Sequence, residues 1–364
     1  MKVRKNPLGI QREQGFTLVE LMVAVAAFSI VSLAAFAVLD SGQRNALMND
    51  QTVKVQQNVR LAMDLIARDI RMTGYGNPAA GALGVACPNH LNATDNAVGA
   101  DGGPDSISIM TLNQQVGILN ANALPGAAFL SLNVASFVAP AAPGLVTLEG
   151  VFLTTGTLGA PGILNLGATL PPTASFPIGT RVFDLACVTY TVTPAGATPP
   201  FQLMRQVGGA AAVPIVDGIE SLQLAYALDV APLDGAIDDQ AGGVAGVFDC
   251  LDFVPNNGPC TDVVARPAGT GTVTAIPAAM NQTPSPVRQV RVTVVGRAIP
   301  PANFYVPNNC WRDPTFTGSA VITAEDQVLT QATASVPVAC GLPQGGIRRR
   351  SLTRVVSLRE TTLQ

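Results

Sequence analysis

The sequence is poor in charged residues, and this shortage excludes several classes of function. Lysine, arginine, aspartate and glutamate together make up 12% of the 364 residues, about half the share in an average soluble domain. The formal net charge is −3, and beyond residue 15 lysine occurs only at Lys54. A weakly acidic chain has no general electrostatic attraction for nucleic acid or anionic lipid. We therefore do not expect nucleic acid as a partner.

Histidine is represented by a single residue, His90, which leaves little room for metal or proton-transfer chemistry. One histidine cannot complete a zinc set of the usual cysteine and histidine kind, and no two cysteines form a C-x-x-C pair. The sequence also lacks the G-x-S-x-G, G-x-x-x-x-G-K-[ST] and helix-entering G-x-G-x-x-G patterns. We therefore predict a protein that is not an enzyme and that needs no cofactor.

Apolar residues, glycine and proline are abundant. Apolar residues make up 48%, and 35 glycines and 28 prolines occur without a collagen-like period, which favours a β-rich body over a helical bundle. Apolar and polar residues alternate, as in half-buried strands, at residues 105–112, 180–192, 222–228, 290–294 and 352–358. Chain breakers within residues 115–175 predict short strands joined by turns. Residues 229–262 and 266–286 are predicted to be long surface loops.

A continuous apolar run lies close to the N-terminus, at residues 16–39. As a helix the run spans roughly 36 Å, which is enough to cross a bilayer core of about 30 Å. Basic residues precede it and acidic residues follow it, which predicts a cytoplasmic N-terminus and a body on the far side of the membrane. No small-residue cleavage site of the secretory kind follows the run.

One carboxylate, Glu20, lies inside this apolar run. Placing an acid at membrane depth costs on the order of 2.5–3.5 kcal/mol. The helix dipole near the first turns offsets far less than that cost. We therefore expect a cationic partner for Glu20.

Residues 15–20 read G-F-T-L-V-E, and this hexapeptide, followed by an apolar helix, resembles the prepilin motif of type IV pilins and type II secretion pseudopilins. The resemblance implies cleavage between Gly15 and Phe16 by a prepilin peptidase, and N-methylation of Phe16. It also implies that Glu20 attracts the new N-terminal amine of a neighbouring subunit during assembly. Cleavage would create the cation that the buried acid lacks. An uncleaved signal anchor with an incidental glutamate is the alternative.

The helix is predicted to continue well beyond the apolar run, from Phe16 to about Met72. Residues 43–73 contain no proline or glycine, and the glycines and proline within residues 74–78 provide a stop. Apolar residues at three- and four-residue spacing predict one face packed on the body. They are Val55, Val59, Ala62, Met63, Ile66 and Ile70.

Three further segments resemble one particular group of these proteins. Residues 57–76 are similar to the end of the first helix in PilW-type minor pilins, and residues 216–223 (V-D-G-I-E-S-L-Q) to a segment in the middle of that family. Residues 349–359 are similar to the closing strand of the family, although Glu360 then departs from its pattern. The J-class pseudopilins of type II secretion share a related helix end but are usually shorter. Residues 115–175 match no segment of the family.

This resemblance implies an α+β fold of the type IV pilin-like kind. A long N-terminal α-helix, transmembrane in its first half, would pack on an antiparallel β-sheet body with long loops. The implied division is a prepilin leader at residues 1–15, a transmembrane half-helix at 16–39, an amphipathic half-helix at 40–74 and a β-rich periplasmic body at 75–364.

The implied function is that of a non-catalytic minor pilin that takes part in type IV pilus assembly, priming and filament tip formation. Its implied partners are other minor and major pilins, the prepilin peptidase and the inner-membrane pilus assembly platform. The chain would cross the inner membrane once and then enter a pilus filament at the cell surface. The alternatives are a J-class pseudopilin and an adhesive or DNA-capturing minor pilin.

An even number of cysteines in an exported chain indicates disulfide bonds formed in the periplasm. Six cysteines leave about fifteen pairings open, and buried free thiols are the alternative. Proximity in the sequence favours Cys250–Cys260 first and Cys310–Cys340 next, which leaves Cys87 and Cys187 as the remaining pair. A calcium loop at Asp234, Asp238 and Asp239 is a secondary hypothesis, because these acids do not have EF-hand spacing. Solvated loop carboxylates are the preferred interpretation, so no metal site is predicted.

Overall fold

The computed structural model describes residues 17–73, 91–94, 104–133, 144–193, 201–228, 287–298, 322–324, 327–329 and 349–358. The chain divides into two compact units, Met1–Thr52 and Val53–Gln364. Helix α1 (Leu18–Met72) begins in the first unit and ends in the second. The long surface loops predicted at 229–262 and 266–286 lie outside the described residues.

Helix α1 follows the sequence pattern closely at its C-terminal end. It ends at Met72, as predicted, and the Thr73 N–H closes the last turn on the carbonyl of Ile70 at 3.0 Å. The residues of the predicted apolar stripe are all buried, which confirms that this face packs on the body. The predicted first residue, Phe16, lies outside the described residues, and the first helical residue is Leu18.

Two long antiparallel strands, β2 (Ser106–Ile118) and β7 (Arg181–Val192), organise the body. The first half of β2 pairs with β1 (Leu91–Thr94), and the second half of β7 pairs with β8 (Gln202–Val207), which pairs in turn with β9 (Val213–Asp217). These five strands form the part of the sheet that carries Ile109 and Val188 against α1. Strands were predicted at both long segments and are confirmed.

The other halves of β2 and β7 belong to a closed ring of strands. The first half of β7 pairs with β4 (Gly144–Leu148), and the ladder continues through β5 (Phe152–Leu158), β6 (Ile163–Leu166) and β3 (Phe129–Ser131). A bridge between Leu119 and Leu132 then joins β3 back to the end of β2. Two hydrogen bonds flank this bridge, from Asn120 N–H to Ser131 O at 2.8 Å and from Asn133 N–H to Ile118 O at 2.9 Å.

These six strands enclose an apolar core of their own, which we call the ring core. Its buried members are Val116, Leu119, Ala123, Leu130, Leu132, Val146, Leu148, Leu164, Leu170, Phe176 and Val182. Gly156 of β5 is required inside the ring, because a Cβ there would lie 2.9 Å from both methyl groups of Val146. The prediction of short strands and turns for residues 115–175 is therefore confirmed for the described part of that segment.

A β-bulge marks the place where β2 passes from the helix-packed sheet into the ring. The pairing of β2 with β7 shifts between Leu112 and Gln114. The buried carboxylate of Asp184 on β7 accepts the Gln114 N–H at 2.9 Å and the Asn113 side-chain amide at 3.3 Å. Because a bulge leaves a ladder group unpaired and bends the strand, Asp184 stabilises the bend by accepting that free N–H.

A second sheet completes the body with strands β10 (Ile219–Leu228), β11 (Val287–Arg297) and β14 (Arg349–Ser357), all antiparallel. Strands β12 (Ile322–Ala324) and β13 (Gln327–Leu329) form a separate pair. The inward faces predicted from alternation are confirmed where they are described: Leu222, Leu224, Val290, Val292, Val294 and Val356 are buried in one core with α1. The side chains of Tyr226 and Leu228, predicted on the same face, lie outside the described ones.

Helix α1 approaches β11 most closely at a glycine. A Cβ on Gly296 would collide with the Cγ2 of Val59 and would lie 3.3 Å from the carbonyl oxygen of Gly218. Only a residue without a side chain lets the helix and the strand approach this closely. The fold is thus a long helix whose second half packs on an antiparallel β body, as predicted.

Candidate assembly site

The N-terminal end of helix α1 is closed by a reciprocal pair of hydrogen bonds between Thr17 and Glu20. The Glu20 Oε2 accepts the Thr17 N–H and the Thr17 hydroxyl, each at 2.9 Å, and the Thr17 Oγ1 accepts the Glu20 N–H at 3.3 Å. This is a capping box, in which the residue before the helix and the third helical residue satisfy two of the orphan backbone donors. Thr17 and Glu20 are both exposed.

The capping box engages one oxygen of the Glu20 carboxylate. Within the described residues its hydrogen bonds all end on Oε2, so Oε1 can accept a donor from outside the chain. The acid is therefore tied to Thr17 through Oε2 at the start of the helix, and its side chain is exposed. Such an oxygen can bind an ammonium group through a charge-assisted hydrogen bond.

Behind the capping box the helix presents apolar side chains in all directions. A segment of 26 residues, Leu18–Gln43, is long and apolar enough to cross a membrane. Large apolar side chains of this segment, such as Phe28 at 73% and Leu33 at 70%, are exposed in the isolated chain. The Ser29 hydroxyl donates to the Val25 carbonyl at 2.8 Å, so its polar group is satisfied within the helix. The segment is suited to an apolar environment.

Further along α1, Asp69 is the centre of a buried polar cluster that joins the helix to the sheet. Its Oδ2 accepts the Tyr190 hydroxyl at 2.6 Å, the Arg205 Nη2 at 3.0 Å and the Arg205 Nε at 3.3 Å. The Arg68 Nε donates to Oδ1 at 3.4 Å, and the Thr73 hydroxyl donates to the Asp69 carbonyl at 3.2 Å. Because Asp69 is buried, its charge depends on these donors.

The cluster also shifts the pKa values of Tyr190 and Arg205. Burial, and then the hydrogen bond to Asp69 and its negative charge, raise the pKa of Tyr190 well above its usual value. Burial lowers the pKa of Arg205, but the hydrogen bonds and charges of Tyr190 and Asp69 outweigh it and leave a net increase. Tyr190 therefore remains a donor and Arg205 a cation at physiological pH.

A second junction lies at the corner between β9 and β10, within residues 216–223. Gly218 has a positive φ of 73°, which allows the sharp turn, and its carbonyl accepts the Arg297 N–H at 2.8 Å. The preceding carbonyl, of Asp217, accepts the Asn58 side-chain amide of α1 at 2.9 Å. The V-D-G-I-E sequence therefore makes a corner whose carbonyls bind the helix on one side and β11 on the other.

Glu220, two residues after this corner, binds the beginning of the last strand. Its Oε2 accepts the Arg349 Nε at 2.6 Å and its Oε1 the Arg349 Nη2 at 2.8 Å, which makes the pair bidentate. Arg297 lies within 3.5 Å of the same carboxylate and stacks over the Phe201 ring at 4.2 Å. On the exposed side, Arg354 of β14 donates to Asp64 of α1 at 3.0 Å.

The three segments that resemble the PilW family thus meet in space. The helix end contributes Asn58 and Asp64, the corner contributes Asp217 and Glu220, and the last strand contributes its arginines. Residues far apart in the sequence are joined by direct hydrogen bonds at one place, the interface of helix and body.

Comparison with known families identifies the N-terminal segment. Residues 10–36 match the family model described as the prokaryotic N-terminal methylation motif. The chain carries an N-terminal methylation motif. This match includes the capping box and Glu20. Among curated proteins, no sequence matches this chain.

Among solved structures, the type IV-like pilin TTHA1219 from Thermus thermophilus is similar at 12% sequence identity, over 84% of this chain and 95% of that chain. The TM-score is 0.31, which is too low for conclusions about this chain.

Several predicted site residues lie outside the described part of the chain. Gly15 and Phe16 are among them, as are Asp234, Asp238 and Asp239 of the secondary calcium hypothesis. In the segments that the structure describes, no group of three or more histidine, cysteine or acidic side chains could hold a metal ion.

Of the six cysteines, Cys187 is the one that lies within the described residues. Cys187 on β7 is disulfide-bonded, and the remaining five, Cys87, Cys250, Cys260, Cys310 and Cys340, lie outside the described residues. The three pairings therefore stay predictions.

The sequence reading did not single out Thr17 or the Asp69 cluster. Thr17 had a local signal, because T-x-x-E before an apolar run is the sequence signature of a capping box. Asp69 had none, because Tyr190 and Arg205 are more than a hundred residues away and only the fold brings them together.

Proposed function

We propose that this chain is a non-catalytic subunit of a type IV pilus, and more narrowly a PilW-type minor pilin. In this proposal a prepilin peptidase cuts between Gly15 and Phe16, and Phe16 is N-methylated. The mature subunit then enters a filament through α1 and takes part in assembly, priming and formation of the filament tip. Its partners are other minor and major pilins and the inner-membrane assembly platform.

One observation carries the proposal, namely an acid fixed by a capping box at the start of an exposed apolar helix, inside the matched methylation motif. Cleavage before Phe16 creates an amine, and the free oxygen of Glu20 is positioned to bind the amine of a neighbouring subunit. In an apolar medium this pairing relieves the cost of the isolated carboxylate. The exposed apolar faces of α1 would then be covered first by lipid and later by neighbouring helices.

The PilW assignment is supported by the interface of helix and body. Its three contributing segments are the ones that resemble PilW-type pilins, and their direct contacts give a physical reason for the sequence pattern. The division proposed for the chain is a leader at 1–15, a transmembrane half-helix at 16–39, an amphipathic half-helix at 40–74 and a periplasmic body at 75–364. A J-class pseudopilin of type II secretion is the nearest alternative, and fractionation of the chain with pili or with secretion pseudopili separates the two.

The first test is chemical. Mass spectrometry of the mature protein should show a chain that begins at Phe16 and carries one added methyl group on its N-terminal amine. A mature chain that begins at Met1, or at any residue other than Phe16, would refute the proposal.

The second test concerns Glu20. The substitution Glu20→Val should leave cleavage intact and reduce incorporation into filaments, because the neighbouring amine loses its partner. Ser29→Val is a matched control, since it removes a polar group from the same helix whose hydrogen bond is satisfied internally. Filament levels of Glu20→Val equal to those of the control would contradict the charge-pairing role.

A further inference from the structure

The strand ring exposes three of its connections at one end. The β2–β3 connection (residues 119–128) follows the end of β2, and the β6–β7 connection (residues 167–180) precedes the start of β7. Ile118 pairs with Arg181, so these two connections are adjacent. The β4–β5 turn (residues 149–151) lies at the same end, because Leu148 pairs with Val182. We call this end the ring tip.

The ring tip and the contacts with the second half of α1 lie at opposite ends of β2 and β7. The halves of β2 and β7 that pack on α1 contain Ile107, Ile109, Val188 and Tyr190, and they lie at the far end of both strands. The ring tip therefore faces away from the contacts that attach the body to the helix.

Each connection of the ring tip exposes one large aliphatic side chain. Leu124 is 62% exposed, Val151 65% and Ile178 62%. Side chains of this kind are normally scattered singly over a surface. Here one stands on each of three connections gathered at a single end of the ring.

These three side chains stand on connections that are firmly held by hydrogen bonds. Ala123 and Phe176 form a bridge with backbone hydrogen bonds of 2.8 and 3.0 Å, and the Asn122 side chain accepts the Ile178 N–H at 2.8 Å. The turn before Val151 uses a positive φ at both Glu149 and Gly150. The exposure is thus a fixed property of the ring tip.

Charge is nearly absent around these side chains. Between residues 106 and 183 the only charged residues in the sequence are Glu149 and Arg181. They lie beside each other at the ring tip, where the Glu149 N–H donates to the Arg181 carbonyl at 3.3 Å. The two charges compensate, so the tip has no net attraction for an anionic or cationic partner. The same lack of positive charge gives this surface no general electrostatic attraction for DNA.

The size of the apolar surface limits the kind of partner. Three aliphatic side chains offer roughly 300 Å² of apolar surface, whereas each partner in a stable protein–protein interface buries roughly 800 Å². A lipid surface needs no complementary shape and binds in proportion to the apolar area that it covers. An uncharged tip with three separated aliphatic protrusions fits such a surface better than it fits a folded partner.

We propose that the ring tip is a membrane-contact site that inserts Leu124, Val151 and Ile178 into the surface of an uncharged lipid bilayer. The proposal is independent of the pilin assignment, because it uses only the geometry and composition of the ring. Binding should be reversible, insensitive to salt and no stronger to anionic than to neutral lipid.

The test uses the full chain with its apolar helix held in a nanodisc, mixed with separate phosphatidylcholine vesicles and analysed by flotation. The wild-type chain should float with the vesicles. The triple substitution Leu124→Ser, Val151→Ser and Ile178→Ser should reduce the bound fraction at least ten-fold. A conservative triple, Leu124→Ile, Val151→Leu and Ile178→Val, should retain binding, because the contact needs apolar side chains at these positions and not a particular shape.

A matched control places three serines at exposed aliphatic positions outside the ring, namely Leu61, Val213 and Val355, and should bind as the wild type does. Four outcomes would overturn the proposal. They are wild-type discs that stay at the bottom of the gradient, serine variants at the tip that still float, binding that requires phosphatidylglycerol or low salt, and discs that associate with one another instead of with vesicles.

Discussion

The two halves of helix α1 differ in where their apolar side chains lie and in how their polar groups are hydrogen-bonded. In the first half, up to Gln43, apolar side chains face all directions, and polar groups such as Glu20 and Ser29 bond within the helix itself. In the second half the buried apolar residues form one stripe, although Val53 and Leu61 stay exposed, and the polar groups of Asn58 and Asp69 bond to strands of the body. The backbone of the first half and the Ser29 hydroxyl are satisfied within the helix, as a membrane segment requires, whereas the Glu20 carboxylate still needs a cation.

The comparison shows how one continuous helix can serve two environments without a break in its backbone. A membrane segment needs apolar side chains all around the helix, whereas a segment packed on a folded body needs them on the face that contacts the body. Directed polar contacts such as the Asp69 cluster then fix which face of the second half meets the sheets.

Among substitutions that test the difference between the two halves, Asp69→Asn is expected to have the largest effect on stability. This substitution removes the negative charge that two buried or half-buried partners depend on, so the body should lose about 3 kcal/mol of unfolding free energy. The free energy can be measured by urea unfolding of the full chain in detergent, followed by near-UV circular dichroism.

The control for this experiment is Asp64→Asn, which breaks the exposed pair with Arg354. It should change the unfolding free energy by less than about 1 kcal/mol. Equal effects of the two substitutions would mean that the Asp69 cluster does not fix the helix on the sheet.

The next largest effect is expected from Gly296→Ala. The added methyl group collides with Val59 of α1, whose branched side chain is stiff in a helix, and overpacking of this kind costs about 2 kcal/mol. The double variant Gly296→Ala and Val59→Ala should recover part of the loss, whereas Gly209→Ala, with open space around it, should be nearly neutral. A double variant that is no more stable than Gly296→Ala would contradict the collision.

Ionisation of Tyr190 is expected to have a smaller effect on the unfolding free energy, and this effect depends on pH. Its pKa is raised in the folded protein, so below pH 10 it is protonated in both the folded and the unfolded state and contributes no slope. Above about pH 10 the unfolded state loses the proton first, and stability should fall by about 1.4 kcal/mol per pH unit.

The measurement is the unfolding free energy between about pH 9 and pH 11. This range extends about one pH unit on either side of the usual tyrosine pKa. Tyr190→Phe should remove this part of the slope, although it also removes one hydrogen bond. An unchanged slope in the variant would assign the alkaline instability to another group.

The smallest effect is expected in the first half of the helix, from Thr17→Val. Loss of the capping hydroxyl costs about 1 kcal/mol of helix stability and frees the first turn, so hydrogen exchange of the amides near Leu18 should speed up in detergent micelles. Thr17→Ser should restore the slow exchange. The body should be unaffected, because the described hydrogen bonds of Thr17 are made with Glu20 and Leu21 of the same helix.

Helix α1 and strands β2, β7, β10, β11 and β14 were predictable from the sequence because their signals are periodic and local, whereas β1, β8 and β9 were not predicted. The apolar stripe from Val55 to Ile70 predicts which face of the helix packs on the core, and the alternation in β11 predicts which face of the strand does so. Glu20 was predictable for a different reason, since an acid in an apolar run is conspicuous on its own.

The ring was not predictable in the same way. Its residues are rich in alanine, glycine and leucine, so alternation is weak, and its closure depends on the pairing of Leu119 with Leu132. β7 shares one edge between β4 and β8, an arrangement that no local pattern specifies. The sequence therefore predicted strands in this region without predicting how they pair.

Strands β2 and β7 run without interruption from the helix-packed sheet into the ring. The two regions are consequently joined by continuous strands, with a bend at the bulge of β2, and no linker separates them. A pull applied at the ring tip along these strands would stress many ladder hydrogen bonds in parallel instead of opening them one after another. A body built in this way can transmit mechanical load to its helix with little deformation.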